Sequence, residues 1–168
     1  MARVAYVNGR YLMRDMAAVS IEDRGYQFAD GVYEVIWVQQ GRPVDLGRHL
    51  DRLDDSLQSL GISRPMSHAA LKVVVGEVIR RNLLRNGHVY IQSTRGVSRR
   101  DHLVPEGTLP SLVVMASRES QRDAHIQEQG VAVITIPDIR WKRCDIKSIA
   151  LLPNIIGKQK ASQGNAFD

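Results

Sequence analysis

The stretch Val32-Tyr-Glu-Val-Ile-Trp-Val38, continued through Gln39-Gln-Gly-Arg42 into Leu46-Gly-Arg-His-Leu50-Asp-Arg-Leu53-Asp-Asp-Ser-Leu57-Gln-Ser-Leu60, decides the fold class. Its first part is dense in β-branched and aromatic residues, which suit a pleated strand. Its last part sets Leu46, Leu50, Leu53, Leu57 and Leu60 at spacings of four, three, four and three, the stripe of an amphipathic helix. Gly61 stands where that helix needs a stop. Between the two parts, Gln-Gln-Gly-Arg turns the strand back into Pro43 to Asp45. A strand that gives way to a helix within one continuous stretch predicts an α+β domain.

Toward the N-terminus, Val4 to Val7, Asn8-Gly9 and Tyr11 to Met13 read as a β-hairpin, because Asn-Gly supplies the positive φ angles of a tight turn. Ser20 to Gly31 is polar and punctuated by glycine, so an irregular loop is expected. The strands up to Asp45 together predict an antiparallel meander. Toward the C-terminus, Ser67 is an N-cap for a second helix carrying Leu71, Val74, Val75, Val78 and Ile79 and running to Asn86-Gly87. His88 to Thr94, Ser111 to Ala116 and Val131 to Ile136 are expected strands, and the apolar run after Lys147 starts a helix. The polar, charged segment from Ser117 to Gln129 suggests a domain boundary. The expected division is an α+β domain over residues 1–118, an antiparallel sheet with two helices, and the start of a second, incomplete domain over 119–168.

Composition narrows the function classes. The 168 residues are 43% hydrophobic, an ordinary globular share, and no apolar run approaches the roughly 20 residues of a membrane helix. The first residues lack the apolar core of a signal peptide, and a single cysteine, Cys144, fits a reducing compartment; a cytoplasmic location is expected. The net charge of +5 invites anionic partners. Its 23 basic residues are mixed with 18 acids and the aromatic content is 5%, which argues against nucleic acid and for a small anionic ligand. The five histidines show no metal spacing and Cys144 has no cysteine partner, so no metal is expected. Gly157-Lys158-Gln159 lacks the flanking residues of a phosphate loop.

The chemistry is expected at Arg140-Trp-Lys-Arg-Cys-Asp-Ile-Lys147-Ser-Ile-Ala-Leu-Leu-Pro-Asn154. Lys147 is followed by Ile149, Leu151 and Leu152, and partial desolvation disfavours an ammonium, as a nucleophilic Schiff-base lysine requires. By itself the stretch reads first as a solvated lysine in a basic loop. Further stretches stand in order before it: Glu22-Asp-Arg-Gly-Tyr-Gln-Phe-Ala-Asp-Gly-Val-Tyr-Glu34, His49-Leu-Asp-Arg-Leu53, Gln92-Ser-Thr-Arg-Gly96 and Arg100-Asp-His102. With Asp138-Ile-Arg-Trp-Lys-Arg-Cys-Asp-Ile-Lys-Ser148 they resemble, in register, the fold-type IV (class IV) pyridoxal-phosphate aminotransferases, and most closely the D-amino acid branch.

The resemblance implies that Lys147 forms the Schiff base with pyridoxal 5'-phosphate and later shuttles a proton, and that Arg52 binds the cofactor phosphate. Without it, Arg52 reads as a solvated helix residue with Asp51, Asp54 and Asp55 for partners. It further implies that Tyr33, Arg100 and His102 hold the substrate carboxylate, the last two across a homodimer with a shared active site. The implied reaction moves an amino group between D-alanine and a 2-oxo acid such as 2-oxoglutarate. Alternatives are a branched-chain L-amino acid aminotransferase, an aminodeoxychorismate lyase, or a non-catalytic dimerisation module. The resemblance spans about residues 4–168 and only the first half or a little more of a family member. The carboxylate that faces the pyridine nitrogen and the rest of the phosphate cup are expected beyond Asp168.

Overall fold

The protein is described by a computed structural model covering residues 3–118 and 124–168. The chain divides into two compact units, Met1–Glu119 with Ile146–Ile149, and Ser120–Asp145 with Ala150–Asp168.

The first unit is an antiparallel sheet with helices on one face. β1 (Val4–Val7) and β2 (Arg10–Met13) form the hairpin expected from Asn8-Gly9, whose φ angles of 43° and 92° are those of its two turn residues. β3 (Gly31–Gln39) turns through Gln40-Gly41 into the short β4 (Arg42–Pro43). β5 (Gly87–Thr94) and β6 (Ser111–Arg118) complete a sheet of order β2-β1-β6-β5-β3-β4. The expected meander is therefore wrong, since β5 and β6 are inserted between the two N-terminal hairpins. The reason is burial. β5 and β6 alternate buried with half-buried residues over most of their length and pair along both edges, whereas β2, with no buried residue, suits the margin.

α2 (Leu46–Leu60) matches its predicted stripe, with Leu50, Leu53 and Leu57 buried, and ends at Gly61 in the left-handed region. The Gly61 and Ile62 amides donate to the carbonyls of Gln58 and Leu57, closing the last turn. α3 (His68–Arg81) starts at Ser67, whose hydroxyl accepts from the Ala70 amide at 3.3 Å. It stops at Arg81, short of the expected Asn86-Gly87, because Asn82 is used elsewhere. The buried Asn82 amide group accepts from the Arg3 and Val4 amides and donates to the Val4 and Val78 carbonyls, tying the helix end to β1. α2 packs on β3, and α3 on β6 and β1. Their leucines and valines close over Val32, Ile36, Val38, Val89, Ile91 and Val114 in one core, each large side chain contributing roughly 1.5–3 kcal/mol.

Ser20 to Gly31 contains a helix that the sequence reading missed, α1 (Arg24–Phe28). Asp23 caps it by accepting from the Gly25 amide at 2.8 Å, and Ala29 at φ 57° ends it. A polar, glycine-bearing segment hides a single turn of helix well, since five residues show no periodicity.

The second unit holds α4 (Ala124–Gln129) and α5 (Leu152–Gln163), the latter being the helix expected after Lys147. Val131 to Ile136 is not assigned as a strand, against expectation. It makes two backbone bonds to the chain end, Ile134 N–H to Asp168 and Phe167 N–H to Ala132, and a ladder needs more partners than that. Among the described residues, no helix is long and apolar enough to cross a membrane.

Candidate active site

β3 alternates, as a strand must, between two faces. Val32, Glu34, Ile36 and Val38 are buried toward the helices, while Tyr33, Val35 and Trp37 point to the other side. Its edge beyond β5 is covered at one end by β4 and at the other by Ile146–Ile149. Ser148 bridges Val32, the Tyr33 amide donates to the Lys147 carbonyl at 3.0 Å, and the Ile149 amide donates to Gly31 at 3.1 Å. The Lys147 amide donates to the Ser56 hydroxyl of α2 at 3.2 Å, and Ile146 is buried in the core. Gly31 allows this approach: a Cβ there would meet the Ser93 carbonyl at 2.8 Å and the Ile149 side chain at 3.1 Å.

Backbone bonds on both sides of Lys147 thus fix where its side chain leaves the chain. The half-buried Lys147 reaches the open face of the sheet, with Nζ 4.2 Å from the Tyr33 ring centroid. Tyr33 stacks on Tyr90 at 5.6 Å, and the Tyr90 hydroxyl donates to Gln92 at 2.8 Å. Burial, with Tyr33 adding to it, pushes the Tyr90 phenol up to about 12, so it stays a donor.

On the helix side lies a group that the sequence reading did not single out. Glu34 is fully buried. Arg52 donates to both of its oxygens, Nε to Oε1 and Nη2 to Oε2, each at 2.6 Å. His49 Nδ1 lies 2.7 Å from Oε2. The acid that Arg52 meets is therefore on β3, and not Asp51, Asp54 or Asp55; Asp54 takes Arg64 and His68 instead. The signal was available: a glutamate two residues from Val32 and from Ile36 in a strand faces the core and needs a cation. The bonds from Glu34 outweigh burial and hold Arg52 above its ordinary range, with the Tyr33 phenol acting in the same sense. A guanidinium has five N–H donors. Two serve Glu34 and the Arg52 side chain is 52% exposed, so donors remain for an anion from solvent.

Arg100 and His102 sit on the loop between β5 and β6. Both are exposed and both lie against Phe28 of α1, Arg100 with its guanidinium 4.6 Å from the ring centroid and His102 at 5.5 Å between rings. The structure brings Lys147 to Tyr33, and Arg100 to His102 through Phe28. Among the described residues of the chain, no contact joins the two pairs. A primary amine on an aromatic ring and a half-exposed guanidinium within electrostatic reach of that ring suit an aldehyde and a phosphate, the two groups by which pyridoxal phosphate is held.

Comparison with known proteins shows the family. The pattern defining the family described as Amino-transferase class IV matches residues 31–168. A D-alanine aminotransferase of Listeria monocytogenes serotype 4b (strain F2365) is 42% identical over 164 residues, which are 96% of this chain and 57% of that protein. A second, from Bacillus licheniformis, is 44% identical over 161 residues, 96% of this chain and 56% of the relative. The chain thus spans somewhat over half the length of the curated relatives it matches. Among solved structures, a branched-chain amino acid aminotransferase of Escherichia coli superposes with a TM-score of 0.88 at 20% identity, over 99% of this chain and 58% of that one. A 4-amino-4-deoxychorismate lyase of Pseudomonas aeruginosa does so with a TM-score of 0.75 at 24% identity, over 93% and 56%. These two likenesses concern the fold.

Proposed function

The chain belongs to the class IV aminotransferases, and within that family we propose that it carries the lysine side of a pyridoxal-phosphate site that exchanges an amino group between D-alanine and a 2-oxo acid such as 2-oxoglutarate. The observation that supports this most is the placing of Lys147 Nζ against Tyr33 at the edge of β3, held there by main-chain bonds on either side. The curated relatives at 42% and 44% identity, both named D-alanine aminotransferase, favour this substrate over the branched-chain and lyase alternatives, whose likeness lies at or below 24%.

Bound there, pyridoxal phosphate supplies an aldehyde for the lysine and a ring that draws electrons from the substrate Cα. The rest is work for this chain's own side chains. Lys147 would hold the cofactor through Nζ, and its free amine would take and return a proton at the substrate Cα. The Tyr33 ring lies under Lys147 Nζ and fixes its direction. Arg52, kept charged by Glu34, directs its remaining N–H donors at the phosphate. Tyr33, with Arg100 and His102 from a second copy of the chain, holds the substrate carboxylate, which sets the side from which Cα meets Lys147 and selects the D enantiomer. The working unit is a homodimer.

Borohydride reduction of the full-length protein with pyridoxal phosphate, followed by peptide mapping, tests the reading. The phosphopyridoxyl mass is expected on Lys147 and is expected to vanish from that peptide in Lys147→Arg. Label spread over surface lysines would sink it. Turnover of D-alanine with 2-oxoglutarate should exceed that of L-leucine, and Arg100→Ala should remove the difference.

A further inference from the structure

The Arg100-x-His102 loop is held in place by side chains, and the holding group is separate from the residues proposed to touch substrate. Between Thr94 and Ser111 the loop contains no helix or strand, only a single bridge of Val97 to Asp23 near its start. At its tip, Arg24 Nη1 donates to the carbonyl of Asp101 at 2.6 Å and leans toward that of Leu103 at 3.4 Å. Arg24 is buried, and its Nε donates to Asp30 at 2.8 Å. Arg95 also donates to Asp30, through Nε at 2.7 Å and Nη2 at 3.1 Å. Its other bonds go to the carbonyls of Leu60 and Gly61, at the negative end of α2.

Two guanidiniums thus share one carboxylate. The positive charge left over must be met by carbonyl oxygens, and for Arg24 those oxygens belong to Asp101 and Leu103, which flank His102. Phe28 completes the clamp. Arg24 lies 4.9 Å and Arg100 4.6 Å from its ring centroid, and the His102 ring is tilted against it. Phe28 is placed by a turn of helix capped at both ends.

We propose that Arg24 and Phe28 are positioning residues: Arg24 sets the loop backbone through two carbonyls, and the Phe28 ring sets the directions of Arg100 and His102, and with them the affinity for the substrate carboxylate. This rests on the transaminase reading. Phe28 is half-buried outside the main core, so replacing it leaves the sheet and its helices in place.

The test uses full-length protein loaded with pyridoxal phosphate. Phe28→Leu should raise KM for D-alanine about three- to tenfold, the factor carried by one cation–π contact. It should leave kcat and borohydride labelling of Lys147 near the wild-type level, and Phe28→Tyr should restore KM. Hydrogen exchange should quicken at residues 99–103 in Phe28→Leu and in Arg24→Lys, the latter checking the carbonyl clamp. An active, labelled wild type whose Phe28→Leu variant keeps its KM overturns the inference and leaves the transaminase reading standing. A wild type that takes no label on Lys147 overturns that reading, and with it the role given to the loop.

Discussion

Two acids near the start of β3, Asp30 and Glu34, each gather two basic side chains, and the difference lies in where the remaining donors point. Around Asp30 everything turns inward. Arg24 and Arg95 are buried, and their other N–H groups end on the carbonyls of Leu60, Gly61, Asp101 and Leu103. Around Glu34 the acid is buried but its partners reach outward, with Arg52 half exposed and His49 partly so. The same charge pattern therefore ties the fold together at Asp30 and leaves donors open to solvent at Glu34. Charge and hydrogen-bond count do not distinguish a structural cluster from a functional one; the direction of the unspent donors does.

The sharpest way to break this comparison is Asp30→Ala. Two buried guanidiniums would lose the carboxylate they share, and a loss of about 3–5 kcal/mol is expected in urea unfolding. Acid should reproduce part of it. Burial pushes the Asp30 carboxyl up, but the bonds from Arg95 and Arg24 outweigh it and hold the group below the usual carboxylate range. Its contribution is thus complete above about pH 4 and is lost as pH falls through the lowered folded value. Asp30→Asn should remove that acid limb, and a variant that kept it would show the limb has another source.

Glu34→Gln is expected to do less, about 1–3 kcal/mol, because the amide keeps the shape and one acceptor for Arg52 while removing the charge. It should also weaken pyridoxal phosphate retention, measured by equilibrium dialysis, since Arg52 loses its alignment. Arg52→Lys is expected to be the mildest for stability, about 1 kcal/mol, with cofactor affinity falling roughly tenfold because an ammonium cannot fork onto acid and phosphate together. If Arg52→Lys cost as much stability as Asp30→Ala, the distinction between the two clusters would be gone.

Several of the stretches quoted for the family likeness acquire separate physical tasks in the structure. Asp23 caps α1, Asp30 and Arg95 share the buried network, Gly31 admits the lysine segment, and Glu34 aligns Arg52. The reading of Tyr33, Arg52, Lys147, Arg100 and His102 came from that likeness, and local sequence alone left Arg52, Lys147, Arg100 and His102 with a plain surface alternative. Glu34 could have been found by strand alternation. Arg24 and Phe28 could not, because the five-residue helix that carries them has no periodic signal and their partners on the Arg100-x-His102 loop stand more than 70 residues away.

By itself, the sequence determined what depends on neighbours a few residues apart: the Asn8-Gly9 hairpin, the leucine stripe of α2 with its stop at Gly61, the Ser67 cap, and strands β3, β5 and β6. Strand order, the pairing of Arg52 with Glu34 across 18 positions, of Arg95 with Asp30 across 65, and of Lys147 with Ser56 across 91 were decided only by the tertiary structure. Periodicity and turn chemistry are set by torsions along a short segment. Which acid meets which cation is set by what the core brings to one sheet edge once the apolar faces have closed.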